Sequence, residues 1–448
     1  MSPSKKSGLT AKEKLRPISG FPELLPEERR VELDWIDQIR AIFESYGFTS
    51  IEPRTVEPID VLLKQGDTDK EIYTLGRLLD RPDSDREPIF GLHYDLTIPM
   101  ARYVAANMEK LDFPFKRYQI QKAWRGERPQ DGRFREFLQC DIDVVDKREV
   151  PLHFDVEVPA IMNEALKSIN AGPVFTKINN RKILEGYYSG LDMENNSVAI
   201  RLIDKVDKIG FEGVADLLKA ELRLNTKTID KIFQLIQIRG SGQQVVDQIQ
   251  NLGVHSELLD QGLTELIFVM KELEHIDKQA FSVDLSIARG LAYYTGTVYE
   301  TRFAEYPAYP SICGGGRYDN LVGDFVSKRL PGIGISIGLS RIFAKLLKEK
   351  RIKIDKKSPT EILVIHSRGA PYRLVNKTAQ TLRQRGFNVE QYHEDRKLNA
   401  QLKYAEGKGI PWIWFPPVKV DGEHQVKNSI SREQQPADPT TWIPEKGE

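Results

Sequence analysis

Between Phe115 and Val145 the chain alternates in a way that predicts two strands joined by a charged loop. The first strand, Phe115 to Trp124, mixes aromatic and β-branched residues with basic ones. The turn material from Gly126 to Gly132 cannot continue it, because Pro129 lacks a donor and glycine favours positive φ. In the return strand Leu138, Cys140, Ile142 and Val144 point one way, and Gln139, Asp141 and Asp143 the other. Glu136 and Phe137 blur the alternation before that point. A hairpin whose inner face carries glutamine and aspartate is built to hold a polar ligand.

Elsewhere the periods are as informative. Pro26, Glu27 and Glu28 open a helix, with acids at its positive end. Val31, Trp35, Ile39, Ile42 and Tyr46 repeat at helical spacing until Gly47 ends it, and a strand from Thr49 to Pro53 follows. Ile89 to Arg102 reads as a strand entering a turn and helix, with Asp95 and Thr97 at the junction, and Pro151 to Ile169 as an amphipathic helix. From about 180 to 279 the pattern is helical, broken at Gly210, Gly240-Ser241-Gly242 and Gly253; strand-like texture resumes at Phe281. This predicts a helical segment inserted into a sheet-based core. Gly-interrupted apolar residues from Pro331 then lead into a helix at Arg341. Beyond a basic linker at Arg351–Ser358, strands (Glu361–His366, Phe387–Tyr392, Ile410–Phe415) alternate with helices (Tyr372–Arg385, Leu398–Glu406). That order predicts a small α/β domain with a parallel sheet. The tail after Gln434 reads as irregular.

Composition narrows the function classes. At 448 residues the chain exceeds one compact core. Its 65 basic and 65 acidic residues cancel, so it is no general coat for nucleic acid, and any RNA contact must be local. Two cysteines with no CxxC disfavour a disulfide framework and a zinc site, and point to a reducing cytoplasm. The seven histidines are scattered, which argues against a metal triad. No apolar leader or membrane-length run is present. Local charge is another matter. From Phe115 to Arg135 seven basic residues (Lys116, Arg117, Lys122, Arg125, Arg128, Arg133, Arg135) face two acidic ones (Glu127, Asp131). Planar guanidinium groups suit phosphate oxygens, so the loop suggests a polyphosphate or a nucleic-acid backbone. The plain alternative is a solvated hairpin edge guarded by charge.

The stretch FKRYQIQKAWRGERPQDGRFREFLQCDIDV resembles motif 2 of the class II aminoacyl-tRNA synthetases, specifically of the histidyl-tRNA synthetases. GLHYDLTIPMARYVA upstream and ARGLAYYTGTVYE at 288–300 resemble the same family, and the 331–341 segment resembles motif 3. The likeness runs over about residues 15 to 415. It implies an α+β class II fold, an antiparallel sheet flanked by helices, in four parts. Residues 1–179 would carry motifs 1 and 2, and 180–279 a helical insertion. Residues 280–350 would complete the core, and 357–448 would form an α/β anticodon-binding domain. The helix and strand before Pro53 would be motif 1, implying a homodimer. The implied reaction activates L-histidine with ATP, with Mg²⁺ bridging the phosphates, and then charges tRNA(His).

The same resemblance assigns the residues. Arg125 and Arg289 would be catalytic, addressing the α-phosphate and carboxylate, where charge develops at phosphorus. Arg133 and Arg341 would meet the outer phosphates and Glu127 the adenine. Asp95, Thr97, Gln139, Asp143, Tyr293 and Tyr294 would bind histidine, supplying acceptors for imidazole N–H and α-ammonium groups. Arg128 and Gln130 would contact the tRNA acceptor stem. Two positions depart from the family: Ala292 where many members carry Asp, and Ser340 where Glu is usual. A second reading is a histidine-sensing regulatory subunit of ATP phosphoribosyltransferase, which resembles the same core. That paralogue lacks the last domain and commonly loses catalytic arginines. Residues 357–448 together with Arg125, Arg133 and Arg289 favour the ligase. Another amino-acid specificity within class II is disfavoured by Tyr293-Tyr294.

Overall fold

The structure, a computed structural model, describes residues 14–63, 71–77, 89–287, 294–321, 325, 329–354, 356–366, 369–419 and 422–444. They fall into two compact units, one made of residues up to 23 with 35–349, the other of 24–34 with 350 onward.

The first unit is organised around a nine-stranded sheet among the described residues. Its chain begins with helix α1 (Pro26–Ser45), of which Trp35 onward belongs here, and strand β1 (Thr49–Ser50). Strands β2 (Val56–Pro58), β3 (Thr74–Leu75) and β4 (Phe90–Leu92) form a small sheet, joined by helix α2 (Ile59–Leu62). Helix α3 (Thr97–Asn107) leads to the hairpin β5 (Phe115–Trp124) and β6 (Glu136–Val145), then to helix α4 (Phe154–Ser168) and strand β7 (Val174–Asn180). Helices α5 (Arg181–Ser189), α6 (Asn196–Ile203), α7 (Val206–Leu222) and α8 (Thr226–Ile236) follow, then strand β8 (Arg239–Gly240) and helices α9 (Gly242–Gln250) and α10 (Glu257–Asp277). The unit closes with β9 (Phe281–Asp284), β10 (Tyr294–Phe303), β11 (Cys313–Tyr318), β12 (Gly332–Ile337) and helix α11 (Leu339–Lys348). The strand order is β1-β5-β6-β12-β11-β10-β7-β9-β8, antiparallel except for β1 with β5 and β7 with β9. This is the α+β architecture expected from the sequence, with helices flanking an antiparallel-rich sheet.

Three local expectations are corrected. The strand proposed from Thr49 to Pro53 pairs only at Thr49 and Ser50. Ile51 still donates to the Tyr118 carbonyl at 3.0 Å, but Pro53 has no N–H to carry the ladder on. The buried face of α1 runs through Trp35, Ile39 and Phe43, the last of which is one helical turn beyond Ile39. Trp35 meets Phe343 edge-on at 5.3 Å and Phe43 lies 5.9 Å from Tyr118, so this stripe seals the unit's own core. The stretch from 180 to 279 is not wholly helical either. Arg239 and Gly240 pair with Asp284 and Val283 and extend the main sheet, a strand too short to show a period.

In the second unit, strands β13 (Ile362–Val364), β14 (Val389–Gln391) and β15 (Trp412–Phe415) run parallel, with helices α12 (Tyr372–Gln384) and α13 (Leu398–Lys408) between them. Ile362, Val364, Val375, Leu382, Trp414 and Val426 form its core, closed by Trp442. The sheet then continues antiparallel through β16 (Gln425–Asn428) and β17 (Gln434–Pro436). The tail expected to be irregular therefore supplies the edge strand, where the missing proline donor at Pro436 is tolerated.

Candidate active site

The β5–β6 hairpin sets the site. Its register places Arg117 opposite Asp143, Gln119 opposite Asp141 and Gln121 opposite Gln139, three polar rows on one sheet face. Strand β12 lies on the other side of β6, with Gly334 opposite Asp143 and Ser336 opposite Asp141. Strand β11 continues outward with Gly316 opposite Gly334 and Gly314 opposite Ser336. One half of the face is thus acidic and polar, and the other is cleared by glycines. Over it opens a cavity of about 520 Å³ lined by Asp95, Thr97, Arg125, Glu127, Arg133, Gln139, Asp141, Tyr294 and Arg341, with Glu71, Ser311, Ser336 and Gly338. That is the ordinary size of a small-molecule site. A smaller pocket of about 30 Å³ adjoins it, lined by Asp143 and Tyr318 together with Thr97, Asp141 and Tyr294.

The acidic end is deeply buried. Burial pushes the Asp141 carboxyl up to about 7 and that of Asp143 up to about 6, while the Arg117 charge pulls both down. Asp95 shifts up for the same reason, opposed by the Ile98 N–H, which donates to its Oδ1 at 3.1 Å, and by Arg125. Asp95 therefore also caps α3. Asp143 Oδ2 is ion-paired with Arg117, and its Oδ1 accepts from the Tyr318 hydroxyl at 2.9 Å. Gln139 donates to Ser336 Oγ at 2.5 Å; among the described residues its buried carbonyl oxygen has no hydrogen-bond partner, nor has the Oδ1 of Asp141. Both residues line the cavity, and a buried acceptor without a partner calls for one.

The basic end is partly engaged by the protein itself. Arg125 donates through Nε to the Tyr94 carbonyl at 3.0 Å, and its guanidinium lies 5.0 Å over the Phe137 ring. Arg133 pairs with Glu127 at 2.9 Å. Arg341 donates through Nε to the Gly132 carbonyl at 2.6 Å and through Nη1 to that of Ser311. Gln130 and Arg133 bond reciprocally to make the hairpin tip, which needs Gly132 at φ +73.

Most of the hairpin's positive charge goes elsewhere than the sequence suggested. Of the seven basic residues, only Arg125 and Arg133 line the cavity. Lys116 pairs with Glu157 and Lys122 with Glu136, both at 2.6 Å, Arg117 with Asp143, and Arg135 bonds the Glu127 carbonyl. Arg128 and Gln130 are exposed on the loop, away from the cavity lining. Arg289, Tyr293 and Ala292 lie outside the described residues. Ser340, the other departure, accepts from the Leu138 N–H at 2.8 Å and so ties α11 to β6.

Sequence reasoning passed over Asp141, although it shares its face with Gln139 and Asp143 and that was visible in the alternation. It also passed over His93. Buried and 5.5 Å from the Trp124 ring, His93 places Nε2 2.7 Å from the Lys122 carbonyl, and its own carbonyl accepts from Trp124 N at 3.1 Å. The segment carrying Asp95 is thereby stitched to the end of β5, next to Arg125.

Residues 20–342 match the family model described as histidyl-tRNA synthetase. The chain belongs to the histidyl-tRNA synthetase family. It is 50% identical to the histidine–tRNA ligase of Thermobifida fusca, over 95% of this chain and 97% of that protein. It is 42% identical to the histidine–tRNA ligase of Micrococcus luteus, over 95% and 96%. The crystal structure of histidyl-tRNA synthetase from Nostoc sp. PCC 7120 superposes with a TM-score of 0.82 at 37% identity, covering 94% of this chain and 96% of that one. A Bacillus halodurans C structure described as an ATP phosphoribosyltransferase regulatory subunit/histidyl-tRNA synthetase reaches 0.73 at 19% identity over 90% and 98%, a likeness of fold alone. Within the histidyl-tRNA synthetase fold, described residues of all four family-like stretches line the cavity, among them Asp95, Arg125, Tyr294 and Arg341.

Proposed function

We propose that the cavity on the β5–β6 face is where the chain carries out its family's reaction. The chain is a ligase of protein biosynthesis: it charges tRNA(His) with histidine and uses ATP as substrate. The observation that carries the assignment to this cavity is its polarity, with buried aspartates at one end and arginines at the other.

Asp95, Thr97, Gln139, Asp143 and Tyr294, with Tyr293, take the histidine. Asp141 joins them, because it lines the same cavity and its buried Oδ1 has no hydrogen-bond partner among the described residues. Arg125 and Arg289 stabilise the charge that builds up as the histidine carboxylate attacks the α-phosphate and pyrophosphate leaves. This is preorganised electrostatics and needs no general base. Arg133 and Arg341 hold the outer phosphates and Glu127 the adenine. ATP therefore has to draw Arg133 from Glu127 and Arg341 from the Gly132 and Ser311 carbonyls.

Mg²⁺ would accompany ATP and neutralise charge on its phosphates. Among the described residues no group of three His, Cys, Asp or Glu side chains could hold a metal ion, so phosphate oxygens and water would carry most of its coordination. Arg128 and Gln130, exposed at the hairpin tip, reach for the tRNA acceptor stem. The stretch from 180 to 279 acts as an insertion between 1–179 and 280–350, and 357–448 binds the anticodon. A homodimer is supported by the apolar surface of the small sheet, where Phe90 pairs with Pro58 and Leu75 and is 44% exposed. Among the described residues no helix is long and apolar enough to cross a membrane, in keeping with a place in the cytoplasm.

Histidine-dependent exchange of labelled pyrophosphate into ATP, with the other amino acids as controls, tests the assignment. Exchange with histidine alone is expected. Exchange with another amino acid, or histidine binding without exchange, would overturn it.

A further inference from the structure

Beneath the cavity the hairpin's polar face holds a side chain that the reaction does not use directly. Arg117 is fully buried, and it is absent from the described lining of both pockets. Its guanidinium is ion-paired with Asp143 Oδ2, while Nη1 lies 3.4 Å from Gln119 Oε1. Gln119 donates to Gln121 Oε1 at 2.6 Å, and Gln121 to the Pro53 carbonyl and Thr55 Oγ1, both at 3.2 Å. A continuous ladder, buried at Arg117 and Gln119 and partly buried at Gln121, therefore runs along one face of β5 from the segment after β1 to Asp143.

The ladder fixes one carboxylate. Asp143 receives Arg117 on one oxygen and the Tyr318 hydroxyl, at 2.9 Å, on the other. A carboxylate has about four acceptor positions, so among the described residues two are left for a ligand. We propose that Arg117 is a positioning residue for amino-acid recognition: from outside the pocket lining it holds the Asp143 carboxylate in the orientation that meets the substrate's positively charged group, without touching substrate. The proposal rests on reading the cavity as the histidine site. A planar fork is needed, because one group must serve Asp143 and Gln119 together; a lysine ammonium supplies the charge without that geometry. The charge also matters, since Asp95 and Asp141 lie in the same buried space as Asp143.

The test compares wild type with Arg117→Gln, Arg117→Lys, Asp143→Asn and the Arg117→Gln/Asp143→Asn double variant. Histidine-dependent pyrophosphate exchange gives separate KM values for histidine and ATP, and calorimetry gives histidine binding alone. Arg117→Gln should raise the histidine KM about tenfold or more and leave the ATP KM within about twofold, with Arg117→Lys intermediate. In the Asp143→Asn background the Arg117→Gln change should add little, because its effect passes through that carboxylate. Equal rises in both KM values, or additive losses in the double variant, would overturn the proposal. If Arg117→Gln does not fold, Arg117→Lys decides: a rise confined to histidine supports the role, and no change or a shared rise rejects it. A wild type without histidine-dependent exchange would instead remove the reading of the cavity, and this role with it.

Discussion

Gly334 on β12 faces Asp143 on β6 so closely that a methyl group at position 334 would overlap the aspartate's carboxylate. The same methyl would stand 2.7 Å from the Ile142 carbonyl, a backbone atom that cannot swing aside. The absent side chain at 334 is what gives Asp143 its place. Gly334→Ala should push the carboxylate away from Arg117 and Tyr318. It should raise the histidine KM by about an order of magnitude and cost roughly 1–3 kcal/mol of stability, the usual range for overpacking. Exchange kinetics and thermal unfolding measure the two effects separately; an unchanged histidine KM would show that the strand can slide to make room.

Asp141 gives the site a pH signature. Its carboxyl lies at about 7 in the folded chain against an ordinary 3.8, raised by burial. The folded state therefore binds the proton more tightly than the unfolded one. The stability that this group contributes is present in full below about pH 4 and is lost as pH rises through about 7. Asp141→Asn should remove that loss, so the variant gains on wild type between pH 4 and 7 in denaturant titrations without histidine. The gain is bounded at about 4 kcal/mol, from 1.36 kcal/mol per pH unit over that interval. Binding carries the opposite sign. If Asp141 accepts an N–H from histidine, wild-type affinity falls as pH drops below about 7, beyond what the imidazole's own titration causes. Asp141→Asn should bind less well and lose that extra dependence. Parallel pH profiles for the two proteins would exclude Asp141 from contact.

How much of this was legible beforehand depends on whether the feature is local. The hairpin, its ten-residue strands and its polar face follow from period-two alternation, because successive side chains must take opposite faces. Asp141 was readable by the same rule. Arg117 was not. In sequence it is one more cation on a basic hairpin, and only the pairing register sets it against Asp143 rather than a phosphate. The glycines on β11 and β12 read as a strand with gaps; that they clear room for Asp143 and Tyr294 depends on neighbours far away in the chain. β8 and β17 are two and three residues long, too short to carry any period, and exist because a longer strand lies beside them.

Arg341 joins the phosphate end to the hairpin tip. It bonds the Gly132 carbonyl at 2.6 Å, while Lys348, on the same helix, pairs with Asp131 at 2.8 Å. The Lys348 pair is exposed and contributes little. Arg341→Ala should lower the rate of adenylate formation by about 10²–10³-fold, the scale for losing one preorganised donor. Lys348→Ala should leave it within about twofold. Single-turnover formation of the adenylate separates these from tRNA charging. Equal, small losses would mean that Arg341 serves only to hold the loop.

Asp155 and Arg317 mark where the site's support ends and its chemistry begins. Asp155 is fully buried in α4, and Arg317 on β11 reaches it with Nε 3.2 and 3.1 Å from its two oxygens, while Nη1 donates to the Val150 carbonyl at 2.7 Å. Neither side chain lines the cavity. Removing one partner of a buried pair leaves the other uncompensated, so Asp155→Leu should cost roughly 3–5 kcal/mol in chemical denaturation. At temperatures where the variant remains folded, its histidine and ATP KM values should stay within about twofold of wild type, as expected of a pair that carries no transition-state contact. A selective rise in the histidine KM would instead make β11, which brings Gly314 and Gly316 to the site, the route by which this pair sets the pocket.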